Sequence, residues 1–180
     1  EGKCLIIDAD MRKSSQQRLL GTDYKQGLSD VLAGIATLDE CVHPTEFQDL
    51  DFLPSGPRPP NPGDLLVRGD FKHIIVSALE RYDYVVVDSP PAVGIADTSI
   101  MAPHCKGVLY VLKLHKSRRH SIKAAIEQVE AAGARSLGMV LNAITKHSGG
   151  YGYGYGYGYG EGYGYGYGEK EAKEAAAVAA

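Results

Sequence analysis

The chain has 180 residues and a formal net charge of −3, the scale of one compact domain with a tail, and a balance that does not predict nucleic-acid binding. Its three cysteines, Cys4, Cys41 and Cys105, lie far apart without metal-ligand spacing, which fits a reducing compartment better than a disulfide framework. It carries no signal peptide, and no apolar run approaches the roughly 20 residues that span a bilayer, so any membrane association must come from a partner or from sequence outside this chain.

Glu1-Gly2-Lys3 leads directly into Cys4-Leu5-Ile6-Ile7 with no initiator methionine, and the expectation is a chain that starts inside a longer protein. Residues 4–7 read as a buried strand ended by Asp8-Ala9-Asp10, because short continuous apolar runs suit the central strands of a parallel sheet. Leu28 to Ala33 reads as a short helix, and Leu50 to Leu53 as a weaker strand. Leu53 to Gly63 holds five prolines and reads as a stiff loop that cannot continue a strand. Asp70 to Arg81 spaces Phe71, Ile74, Ile75, Ala78 and Leu79 as one helix face. Strands follow at Tyr84 to Val87, Gly107 to Leu112 and Leu137 to Leu141. Between the last two, Ser117 to Ala132 carries Ile122, Ala125, Ile126 and Val129 on one face, with Gly133 where a C-cap belongs. Strands alternating with helices predict an α/β fold with a parallel sheet.

After Ser148-Gly149-Gly150 the composition changes abruptly, and the domain boundary is placed at residue 150. Residues 151–168 alternate tyrosine and glycine almost strictly and hold eight of the twelve tyrosines: Tyr151, Tyr153, Tyr155, Tyr157, Tyr159, Tyr163, Tyr165 and Tyr167. Such an array cannot build a core, so a disordered tail with accessible phenols is expected. Residues 169–180 are rich in Ala, Glu and Lys and marginal as an isolated helix.

The chemistry concentrates at strand ends. Two apolar strands end in aspartate, at Asp8 with Asp10 just beyond it, and at Asp88. In open α/β sheets ligands bind at the carboxyl ends of strands, and converging carboxylates call for a cation; hard oxygen donors suit Mg²⁺ arriving with nucleotide phosphates. The alternative is that each aspartate caps a following helix.

Leu5-Ile6-Ile7-Asp8-Ala9-Asp10-Met11-Arg12 resembles the Walker A′ motif of bacterial tyrosine kinases, and Val85-Val86-Val87-Asp88-Ser89-Pro90-Pro91 resembles their Walker B motif. The proline-rich loop, Leu141-Asn142 and the tyrosine cluster follow the order of the same family, and the resemblance covers residues 3–168. It implies a P-loop NTPase-like parallel sheet flanked by helices, and an autophosphorylating kinase that uses ATP and Mg²⁺ and regulates capsular or exopolysaccharide synthesis and export. The resemblance further implies that Asp8, Asp10 and Asp88 are catalytic. Asp10 and Asp88 would help hold the metal, and Asp8 would accept the tyrosine proton. Arg12 and Asn142 would contact the nucleotide, with a salt bridge and simple capping as their alternatives. The eight tail tyrosines would be the phosphorylated residues. Residues 1–150 would be the C-terminal part of the kinase domain. Implied partners are a membrane co-polymerase or activator segment (fused upstream or separate), neighbouring kinase subunits in a ring, and a tyrosine phosphatase, but no nucleic acid. The implied location is cytoplasmic, at the inner face of the plasma membrane.

The family's Walker A loop, GxxGxGK[ST], is absent from these 180 residues, and so are the first strand of the sheet and the helix after that loop. The chain as given is therefore expected to be inactive alone, because that loop cradles the phosphates. Two other readings stay open: a partitioning or positioning ATPase, and a non-catalytic acceptor phosphorylated by another kinase. Lys116, Arg118 and Arg119 before the long helix oppose its dipole, a mild misfit that favours an anionic partner there.

Overall fold

The computed structural model describes residues 2–114 and 116–144. Contacts divide the chain into the units Glu1–Ile144 and Thr145–Ala180, and the described residues all belong to the first. The eight tail tyrosines and the alanine-rich end lie outside the described residues.

Strand β1 (Cys4–Asp8) is the centre of a four-stranded sheet. On one side it pairs in parallel with β3 (Leu50–Leu53), and on the other with β4 (Tyr84–Asp88). The segment expected to be the weakest strand is thus the direct neighbour of the central one. A two-residue strand, β2 (His43–Pro44), runs antiparallel to β3 and closes that edge. A second sheet contains β5 (Val108–Lys113) and β6 (Ser136–Asn142), also parallel.

The helices follow the apolar spacing. α5 (Phe71–Leu79) buries Phe71, Ile74, Ile75 and Ala78 against Leu5 and Ile7 of β1, with Val85 and Val87 of β4 packed on the same cluster. Its Asp70 cap accepts the amide of His73, one of the donors a helix start leaves unpaired. α7 (Arg119–Ala131) lays Ala125 and Val129 against Tyr110, and the turn at Gly133 has φ +84°, the left-handed cap that glycine adopts without strain. The short helix α2 (Leu28–Leu32) docks on the proline-rich loop: the amides of Leu28 and Ser29 donate to the carbonyls of Pro54 and Ser55 at 2.7 and 3.0 Å. That docking buries Pro54 and Ser55 in a loop that would otherwise be solvated. The loop also ends earlier than its composition suggests. α4 (Pro62–Arg68) begins at Pro62, where proline fits because a first-turn amide has no helical partner.

Four short helices have too little apolar periodicity to be read from sequence: α1 (Gln16–Leu19), α3 (Leu38–Cys41), α6 (Asp97–Met101) and a 3₁₀ turn at Ala102–His104. Of these, α3 does carry a local signal, the reciprocal capping box of Thr37 and Glu40.

The strands do not form one continuous ladder. Among the described residues β4 pairs only with β1, and β5 only with β6. Much apolar surface of both sheets is bare among the described residues. In the first, Tyr84 and Val86 are exposed on the face opposite α5; in the second, Leu109, Val111, Leu137, Met139, Val140 and Leu141 are exposed. Parallel sheets are ordinarily covered on both faces, which is why their strands read as continuous apolar runs.

Candidate functional site

Asp8 and Asp88 are partners in the β1–β4 register, so the two carboxylates emerge side by side at the carboxyl end of the sheet. The backbone reinforces the pairing, because the amide of Ala9 donates to the carbonyl of Asp88 at 2.8 Å. Beyond Asp8 the chain turns sharply. Ala9 and Met11 point into buried space, and the amides of Arg12 and Lys13 donate to Asp10 Oδ1 at 3.1 and 2.9 Å. This closed turn is what an aspartate supplies two and three residues before the amides it accepts. No hydrogen bond from the described residues reaches the other oxygen, Asp10 Oδ2.

Asp8 is fully buried and well provided with donors. Its Oδ1 accepts the amide of Asp10 at 3.2 Å; its Oδ2 accepts the Ser14 hydroxyl at 2.7 Å and the amide of Gln16 at 3.3 Å. Burial still dominates and pushes its carboxyl above the usual carboxylate range, with the neighbouring charge of Asp88 adding to the rise and the hydrogen bonds opposing it. Gln16 joins the two acids: its backbone amide faces Asp8, and its side-chain amide donates to Asp88 Oδ2.

The Arg12 side chain bonds a different acid. Its Nε and Nη2 take both oxygens of Asp97, at 2.8 and 2.9 Å, and Asp97 is 1 % exposed. The ion pair weighed for Arg12 on sequence grounds is therefore present, with a buried partner. Asn142 ends β6 exposed, and its side-chain oxygen accepts the amide of Ala143 at 2.7 Å, a local cap. Arg118 is the N-cap residue of α7 and makes no side-chain cap bond. Four residues that hold this site together, Ser14, Gln16, Asp97 and Thr98, were not singled out from the sequence. Their signal is faint: polar side chains within eight residues of a strand end, or opening a helix too short to show a period.

No three His, Cys, Asp or Glu side chains among the described residues converge tightly enough to cage a metal ion. Mg²⁺ does not require such a cage, since one or two carboxylates suffice when phosphates and waters complete its shell. Asp8 and Asp88 provide adjacent hard oxygen donors with lone pairs beyond those already hydrogen-bonded, and Asp10 Oδ2 adds another, so the donor set fits Mg²⁺.

A family model described as an AAA domain matches residues 1–135. The chain is 36% identical over 149 residues to the tyrosine-protein kinase wzc of Salmonella typhimurium, which covers 83% of this chain and 21% of that protein. Its fold is similar to the kinase domain of the Escherichia coli tyrosine kinase ETK, with a TM-score of 0.78 and 30% identity over 87% of this chain and 62% of that one. It is also similar to the septum site-determining protein MinD from Pyrococcus horikoshii, complexed with Mg-ADP, with a TM-score of 0.62, 26% identity, and coverage of 78% and 57%. The chain thus spans about a fifth of the length of wzc.

Proposed function

We propose that this chain, which belongs to the AAA domain family and is homologous to bacterial tyrosine kinases, is part of an autophosphorylating tyrosine kinase whose acceptors are the tyrosines of residues 151–168. The observation that carries the reading is the in-register pair Asp8 and Asp88 at the carboxyl end of a parallel sheet, in a chain that also holds eight clustered tyrosines.

In this reading Asp10 and Asp88 hold Mg²⁺, which supplies charge neutralisation at the transferring phosphate. Asp8 orients the tyrosine hydroxyl and takes its proton late in the transfer. A tyrosine pKa near 10 makes deprotonation in advance steeply uphill for a carboxylate near 4, and burial pushes the Asp8 carboxyl upward, toward the phenol. The binding of ATP needs a phosphate-cradling loop that these residues do not contain, so activity belongs to a longer polypeptide that includes one. The edges of β4 and β5 that are unpaired among the described residues, and the exposed apolar side chains of both sheets, support this, because a further strand and helix would cover that apolar surface.

The tail has the reach for delivery. Eighteen extended residues span roughly 60 Å, and glycine at alternate positions lets the segment enter a shallow site. Each phosphate adds about −1.5 to −2 charges. A phosphorylated tail would therefore repel itself and leave an acidic site, releasing a neighbouring subunit held through it. That cycle, a membrane co-polymerase partner, an opposing tyrosine phosphatase and a role in capsule or exopolysaccharide export are parts of the same proposal. No helix among the described residues is long and apolar enough to cross a membrane; attachment at the inner face of the plasma membrane, through a partner or through sequence outside these residues, belongs to the same proposal.

The likeness to MinD supports a second reading, a positioning ATPase, which would have no use for a tyrosine array. Incubation of the intact protein with ATP and Mg²⁺, followed by detection of phosphotyrosine, separates the readings. Phosphotyrosine lost in Asp8→Asn with nucleotide binding retained is the expected result. ATP hydrolysis without phosphotyrosine favours the ATPase, and labelling only on addition of another kinase favours a passive acceptor.

A further inference from the structure

The first turn of α6 ties together the two loops that carry the site's acids. Asp97 opens that helix, and its carboxylate holds the Arg12 guanidinium through two bonds, 2.8 and 2.9 Å long. Arg12 is the residue whose amide helps close the turn on Asp10. Next to Asp97, the Thr98 hydroxyl donates to the carbonyl of Pro90 at 2.9 Å, two residues beyond Asp88. Both side chains are buried, at 1 % and 4 % exposure. On another side α4 closes in: a Cβ added at Gly63 would lie 3.3 Å from Asp97 Oδ1. Asp97 and Thr98 thus anchor the Asp10 turn and the Asp88 loop to one rigid point.

An ion pair with one buried partner, as here with Asp97 buried and Arg12 exposed, is weak evidence for a gain in stability. What a two-bonded guanidinium–carboxylate fork adds is fixed geometry. Here the fork fixes α6 to the Asp10 turn, between residues 85 positions apart, and Thr98 fixes α6 to the loop that carries Asp88.

We propose that Asp97 is a positioning residue: acting through Arg12, and beside Thr98, it sets the distance between Asp10 and Asp88 at which Mg²⁺ is bound. The proposal rests on the reading above that these two acids hold the metal.

The test uses the intact protein, with Asp97→Asn, Arg12→Lys and Thr98→Val each compared with wild type. A fluorescent ADP analogue is titrated at increasing Mg²⁺, and exchange of the Arg12 and Lys13 amides is followed without metal or nucleotide. Loss of an outer partner of a metal ligand typically weakens the metal about 10- to 100-fold. The expected result for Asp97→Asn is therefore about a tenfold or greater rise in the Mg²⁺ needed for half-maximal nucleotide binding, with Mg²⁺-free nucleotide affinity unchanged and faster exchange of both amides. Arg12→Lys, which keeps the charge and loses the fork, should fall between Asp97→Asn and wild type. Folded variants that melt earlier yet keep the wild-type Mg²⁺ dependence overturn the proposal and leave a purely structural brace. Should Asp97→Asn fail to fold, Arg12→Lys and Thr98→Val decide by the same criterion. A wild type whose nucleotide binding ignores Mg²⁺ overturns the functional reading itself, and this inference with it.

Discussion

Asp8 and Asp88 are direct neighbours in a parallel strand pair, one of them fully buried, with the Gln16 side chain on the other. Burial is the first cause of the raised Asp8 carboxyl, and the charge of Asp88 adds to it. Neutralising that neighbour should move Asp8 back toward an ordinary carboxylate. Carboxyl ¹³C titration of Asp88→Asn should show Asp8 ionising at lower pH than in wild type. An unmoved titration would mean that the two acids are electrostatically independent.

The raised Asp8 also predicts a pH signature in stability. A carboxyl whose folded pKa lies above its unfolded value binds a proton more tightly in the folded state, so folding loses stability as pH rises through that interval. Asp8→Asn has no charge to bury. Denaturant unfolding should therefore show the variant gaining on wild type as pH rises from acid through the carboxylate range, then holding a constant difference. A difference that is flat with pH would rule out Asp8 as a burdened site of this kind.

What was legible in the sequence, and what was not, follows from how each element is built. Asp8, Asp10 and Asp88 stand out because long apolar runs end abruptly at them, and β1 and β4 were readable for the same reason. α5 and α7 carry enough turns to show a period. By contrast Ser14, Gln16, Asp97 and Thr98 sit in helices of five residues or fewer, or in turns, where the only order is a tertiary hydrogen bond. The division into two sheets was equally invisible strand by strand, because β4 and β5 each have the composition of a buried central strand and, among the described residues, an unpaired edge. Leu50–Leu53 looked weak since Asp51 interrupts it, and the structure shows that residue engaged rather than solvated.

Asp51 accepts the Tyr82 hydroxyl at 2.7 Å and lies 3.0 Å from the Lys3 ammonium. Burial works against its charge, but those two donors hold its carboxyl below the usual range. Burial first, and then the hydrogen bond to Asp51 and the charge of that carboxylate, push the Tyr82 phenol up to about 12. The signs differ. Asp51 contributes stability above its unfolded pKa that is lost as pH falls through the lowered folded value. Tyr82 contributes stability below its unfolded pKa of about 10 that is lost as pH rises toward 12. Tyr82→Phe should cost roughly 1.5 kcal/mol at neutral pH, the worth of a hydrogen bond to a charged acceptor. It should also flatten both limbs of a stability-against-pH curve. A neutral-pH loss with both limbs intact would place the effect in packing alone.

The docking of α2 on the proline-rich loop gives a contrast between two glycines. At Gly27 the backbone is extended, a conformation open to any residue, yet a Cβ would stand 2.1 Å from the Pro54 carbonyl oxygen and 2.4 Å from the Gly56 nitrogen. Neither is a side chain that can swing aside. Gly34 is the reverse case: φ is +69°, and a Cβ would meet nothing within 4 Å. Gly34→Ala should therefore cost about 1–2 kcal/mol of left-handed backbone strain and leave the structure in place. Gly27→Ala must push the loop off α2, breaking the Leu28 and Ser29 amide bonds to it and exposing Pro54 and Ser55. The expected loss is about 3 kcal/mol or more, with faster amide exchange at Leu28 and Ser29 in Gly27→Ala and not in Gly34→Ala. Equal costs for the two substitutions would show that the loop yields freely, and that this contact does not hold it.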